Sequence, residues 1–273
     1  MEQSKTRKPI VAGQFYPSSA EKLKKQIETL IDKKAAKLDA LACVLPHAGY
    51  MYSGGVAAKT LSGINIKDKI ILLGPNHTGS GRKFSIMSEG VWQTPLGEIK
   101  IDSGLAKKIL SRSRFLEEDF LAHLNEHSLE VELPFLQFFK ADFEIVPIVV
   151  FPEDIESLKE IGKEIADCIK ECAIIDSVII VASSDMTHYE PQGSAQMKDK
   201  EAIQAILELN ENKLMERVLR LNISMCGYAP VIIMLSAVKQ LGASSARLIK
   251  YQTSCDVTGD FDSVVGYAGI IIN

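Results

Sequence analysis

The chain has 273 residues, of which 46% are hydrophobic, 24% charged and 7% aromatic, and its formal net charge is -4. These values are average for globular proteins and exclude collagen-like, coiled-coil, disordered and supercharged chains. The mildly acidic balance gives no electrostatic reason to expect nucleic acid or an anionic membrane as partner, and Lys33-Lys34 and Lys107-Lys108 are too short to change that.

No apolar run approaches the ~18 residues of a membrane helix. The opening MEQSKTRKPIVAG lacks the apolar stretch of a secretion signal. The five cysteines (Cys43, Cys168, Cys172, Cys226 and Cys255) are scattered, as in a reducing compartment, so the chain is expected to be cytoplasmic.

Apolar bursts alternate with helical patterns from end to end. Ser18 and Glu21 have capping-box spacing and open a helix with Leu23, Ile27, Leu30 and Ile31 on one face. Leu41 to Leu45, Lys69 to Leu73, Phe143 to Val150 and Ser177 to Ala182 read as buried strands. Between them the periodicity predicts helices over about 54–62, 103–113, 127–139, 154–171, 198–208, 211–220 and 229–241. Ser80 to Ile101 adds small edge strands, and Ala246 to Thr253 and Ser263 to Ile272 close the chain as strands. This alternation predicts an α/β fold: a single domain over residues 1–273, with a mixed, largely parallel central sheet and helices on both faces.

The histidines fall at informative places. His47 follows the strand ending at Leu45, His77 follows the strand ending near Gly74-Pro75, and His188 follows the strand ending near Ala182. Open α/β sheets bind ligands beyond the carboxyl ends of their strands, so parallel strands would bring these imidazoles together. Each histidine alone is as well explained by a turn; three at equivalent positions favour a site, and imidazole is the commonest protein metal ligand. The anion to complete such a site has three candidate sources. Asp185 is near His188, and Glu126 adjoins His127, which Glu126 and Glu130 orient or charge unless they simply solvate a helix start. Cys226 precedes the apolar helix that carries Pro230 in its first turn, where the helix field favours thiolate; the alternative is a buried, inert thiol. Cys43, Cys168 and Cys172 fit the inert reading, Cys255 sits in a polar, exposable loop, and His123 has the context of a surface residue. Walker, dinucleotide-glycine, G-x-S-x-G and H-E-x-x-H motifs are absent.

An ordered set of strings carries a family resemblance: Ala12-Gly13-Gln14-Phe15-Tyr16-Pro17, Pro46-His47-Ala48-Gly49-Tyr50, Gly74-Pro75-Asn76-His77, Glu126-His127-Ser128-Leu129-Glu130, Ser184-Asp185-Met186-Thr187-His188-Tyr189 and Met225-Cys226-Gly227. In this order, and ending in Gly266-Tyr267-Ala268-Gly269, they resemble the MEMO family over nearly the whole chain. That family is similar in fold to class III extradiol dioxygenases, which hold non-haem iron with two His and one Glu. The resemblance implies that His47, His77 and Cys226 are metal ligands, Cys226 standing where the dioxygenases place Glu. It further implies that His188 is an acid/base group, with Asp185 and His127 beside the pocket. Thiolate in place of carboxylate softens the site toward copper or zinc and sets an oxidisable sulfur beside any bound oxygen.

The first expectation is therefore a redox-active metal protein holding Fe(II) or copper, acting on an unknown small molecule. The second is a protein- or peptide-interaction module, with Arg82 receiving an anionic peptide; the resemblance implies radical-SAM and AMMECR1-type proteins as partners. The third is a zinc hydrolase with Glu126 or Asp185 as base.

Overall fold

Among the described residues, twelve strands join in one sheet. The computed structural model describes residues 5–273. In chain order the strands are β1 (Thr6–Arg7), β2 (Ala42–Leu45), β3 (Lys69–Pro75), β4 (Phe84–Ile86), β5 (Val91–Thr94), β6 (Gly97–Ile101), β7 (Glu117–Glu118), β8 (Glu144–Val150), β9 (Val178–Ser183), β10 (His188–Glu190), β11 (Ala246–Thr253) and β12 (Val264–Ile272). The helices are α1 (Ala20–Leu30), α2 (Gly54–Ser62), α3 (Ser103–Arg112), α4 (Leu121–Leu124), α5 (Leu133–Phe139), α6 (Ile155–Glu171), α7 (Gln192–Leu207), α8 (Glu211–Arg220), α9 (Tyr228–Gln240) and α10 (Cys255–Thr258).

The main path runs β1-β5-β6-β8-β3-β9-β2-β12-β10, with β11 also on β12 and β4 on β8. Its centre, β8-β3-β9-β2, is parallel, and β12 pairs antiparallel with β2. β2 and β9 are buried at every position, as the unbroken apolar runs require when both sheet faces are covered. Pro147 is tolerated inside β8 because its carbonyl accepts from Met87 on one side, so its missing N–H faces the same side. There the partner changes from β6, paired at Glu144 and Ile145, to β4, paired from Ile148. A continuous hydrophobic core reaches from Val11 to Ile272.

Three local expectations are corrected. The first helix begins at Ala20 behind Ser19 and has no side-chain cap, so Ser18 and Glu21 form no capping box. The 127–139 helix shrinks to a 3-10 turn over Glu130–Glu132 followed by α5, because hydrogen bonds to the buried Glu126 and Glu130 side chains hold the preceding chain in an irregular path. α7 starts six residues before the expected 198, at Gln192, behind the extended Pro191; its polar first turn shows no apolar period.

Candidate metal centre

β3, β9 and β2 are adjacent and parallel, so whatever follows their carboxyl ends shares one rim of the sheet. His47, His77, Asp185 and His188 all line a cavity of about 620 Å³ there. His47 is 2% exposed. Its Nδ1 lies 2.8 Å from Ser183 Oγ, whose hydroxyl donates to the Ser128 carbonyl at 2.7 Å. The Ser183 oxygen thus accepts from Nδ1–H, which leaves a bare lone pair on Nε2. That Nε2 is 3.3 Å from Cys226 Sγ.

His77 reaches the same state by another partner. Its Nδ1 is 2.9 Å from Glu126 Oε1, and the carboxylate also accepts from the backbone N–H groups of His77 at 2.5 Å and Ser128 at 2.8 Å. Burial opposes the charge on Glu126, but the hydrogen bonds from the His77 ring and from the backbone N–H groups of His77 and Ser128 outweigh it and hold its pKa down at about 2. Nδ1–H is therefore donated to the carboxylate and Nε2 is free.

One ligand atom each from His47, His77 and Cys226 lies within 4.8 Å of the others. Two neutral imidazoles and a thiol sulfur fit a soft or borderline ion. His77, Glu126 and His127 meet the same distance test, but Glu126 is already occupied by N–H donors. His127 stacks on His77 at 4.7 Å and stands edge-on to His47 at 5.5 Å; burial lowers its pKa.

Cys226 comes close because of its neighbour. A Cβ on Gly227 would stand 2.3 Å from the Ser183 carbonyl oxygen, so only glycine lets this segment press on the end of β9. The thiolate expectation is corrected. α9 starts at Tyr228 with Gly227 at its cap, and burial, followed by the charge of Asp185, pushes the Cys226 thiol up. The helix field is the weaker influence, so the thiol keeps its proton until a cation displaces it.

Asp185 Oδ1 accepts from His47 N–H at 2.9 Å, and the Asp185 N–H donates to Cys226 Sγ at 3.3 Å. Burial raises its carboxyl to about 6 against the opposing pull of His188 and the His47 N–H. His188 Nδ1 is 2.9 Å from the Ser224 carbonyl, which can only accept, so Nδ1 carries the hydrogen and Nε2 is basic.

Three further residues sit differently from expectation. His123 is fully buried, edge-on to Trp92 at 6.0 Å, with both ring nitrogens unpartnered. Arg7, donating to the His123 carbonyl at 3.1 Å, draws that segment inward. Cys255 is 7% exposed, its thiol 3.0 Å from Thr253 Oγ1. Arg82 does not line the cavity; its guanidinium is 3.5 Å from Glu117.

The supports of the site are not marked in the sequence by any motif. Arg7, fully buried, donates to the carbonyls of Lys8, His123 and Glu126, pairs with Glu130, and lies 4.6 Å over the Trp92 ring. Glu130 also accepts from the N–H groups of Ile10 and Val11 and from Tyr16. The signal was Glu126 and Glu130 in a run otherwise apolar enough to be buried, which demands a buried partner.

Residues 7–271 match the family described as Memo-like protein. The chain is 42% identical to a MEMO1 family protein of Methanopyrus kandleri, covering 97% of this chain and 98% of that one. It is 43% identical to one of Methanocaldococcus jannaschii (98% and 99% covered) and 41% to one of Aquifex aeolicus (98% and 99%). The crystal structure of an uncharacterized protein from Escherichia coli K12 shares the fold at a TM-score of 0.55 and 15% identity, over 84% of this chain and 98% of that one. The chain belongs to the MEMO family.

Proposed function

We propose that the protein binds one transition-metal ion through His47 Nε2, His77 Nε2 and Cys226 Sγ, and presents it to a small molecule in the adjoining cavity. The observation that carries this reading is the convergence of these three donors within 4.8 Å, with both imidazoles held in the tautomer that frees Nε2. The donor set suits Fe(II), copper or zinc, and a bound ion would supply Lewis acidity and, for iron or copper, electron transfer. Ser183 and Glu126 orient the two rings. His188 Nε2 takes or returns a proton at the bound molecule, and Asp185, whose carboxyl burial holds above the ordinary carboxylate range, tunes the charge beside it. Phe15, Tyr52 and Tyr267 wall the cavity.

Equilibrium dialysis under anaerobic conditions against Fe(II), Cu(I) and Zn(II) tests the assignment. One ion per chain is expected, falling well below that in Cys226→Ser and in His47→Ala. Unchanged stoichiometry in both variants contradicts it.

A second reading rests on the cavity mouth, where Met51 and Tyr189 are 61% and 77% exposed and Tyr189 has φ 58. An exposed aromatic held in left-handed backbone suits contact with a partner, for which radical-SAM and AMMECR1-type proteins are candidates. Pull-down with each, on the parent and on Tyr189→Ala, distinguishes the readings.

A further inference from the structure

The fold gathers four lysines from three separate stretches of the sequence. Lys33 and Lys34 follow α1, Lys59 lies on α2 and Lys250 on β11, and all line one open cavity of about 540 Å³. It shares no lining residue with the histidine cavity. Among the described residues, none of these four ammonium groups has a carboxylate within 4.0 Å, although the chain carries net charge -4 and Lys5, Lys67, Lys69, Lys83 and Lys107 each have one. Asp32, the acid in the lining, accepts at Oδ1 from the Lys34 backbone N–H at 3.0 Å. Asp256 attracts Lys250 from beyond ion-pair range.

Local geometry aims the cluster. The register of β11 on β12 slips between Leu248 and Lys250, and a bulge of this kind re-aims a side chain. Gly55 leaves room for the lysine: a Cβ there would be 3.2 Å from Lys250 Nζ. Lys59 is four residues on from Gly55, on the same face of α2. Burial, and then the Lys59 charge, lower the Lys250 pKa. An edge-strand lysine also deters strand pairing, but that role asks for a side chain on the open edge, not one folded over Gly55.

We propose that this pocket binds a small phosphorylated ligand carrying at least two negative charges, with Lys59 and Lys250 as its main contacts and Lys33 and Lys34 opposite. Phosphate oxygens accept charge-assisted hydrogen bonds from ammonium groups and relieve the repulsion among them. The site stands independently of the metal centre.

The test is calorimetric titration with inorganic pyrophosphate at fixed ionic strength. Saturable binding of one pyrophosphate per chain is expected, with Kd below ~1 mM. Affinity should fall at least ~10-fold in Lys59→Ala/Lys250→Ala and stay unchanged in Lys107→Ala, whose lysine pairs with Glu89. Lys59→Ala alone should move in the same direction if the double variant does not fold. Absence of saturable binding, unchanged affinity in the Lys59 and Lys250 variants, or an equal loss in Lys107→Ala overturns the proposal.

Discussion

Glu132 is a costly residue to keep where it is. It is fully buried, with Oε1 3.2 Å from Ser183 Oγ and Oε2 without a partner, and burial raises its pKa well above the ordinary range. A buried acid with one unsatisfied oxygen destabilises the fold, while Ser183 keeps its bond to the Ser128 carbonyl without it. Glu132→Leu is therefore expected to raise stability by ~1–2 kcal/mol in urea denaturation; a loss would show that Glu132 is satisfied in solution. At this scale the sequence was informative about which metal-binding residue types converge and silent about what supports them. His47, His77 and Cys226 stood out because few residue types hold metals. Ser183 and Ser128 are ordinary residues whose roles exist only once β9 and the segment before α5 are side by side.

At the scale of elements, β1 ties the site together. Arg7 reaches from this two-residue strand to the segment 123–130, which carries both Glu126 and His127. Replacing one member of a buried ion pair leaves the other charged and uncompensated, so Arg7→Met should cost ~3–5 kcal/mol by urea denaturation. Backbone amides of 123–130 should then exchange faster with solvent. Glu130→Gln added to Arg7→Met should recover part of the loss; additive losses would mean that the two residues act separately. The long strands and amphipathic helices were legible because period and burial coincide. The irregular 123–130 segment was not, since its path is set by a guanidinium more than a hundred residues away in sequence.

Across the whole molecule, the alternation of apolar strands and helices carried the parallel centre of the sheet, while the antiparallel β12 and the small strands at the edges follow from pairings that periodicity does not encode. Burial at this scale has a pH consequence through His123. An unfolded histidine titrates near ~6.5, whereas burial lowers the folded ring to about 4. Below ~6.5 the unfolded chain binds a proton that the folded chain refuses, so stability falls as pH drops through this window and levels off below both values. Between pH 7 and pH 5 this amounts to ~2 kcal/mol, and His123→Leu should reduce the measured pH dependence by that amount. An unchanged dependence would place the titration elsewhere.

If one sulfur and two imidazoles meet at a single ion, X-ray absorption at the edge of the loaded metal reads those neighbours directly. The zinc-loaded protein is expected to show one sulfur at ~2.3 Å and two nitrogens at ~2.0–2.1 Å, with the sulfur shell lost in Cys226→Ser. A spectrum of nitrogen and oxygen alone, identical in parent and variant, would contradict it.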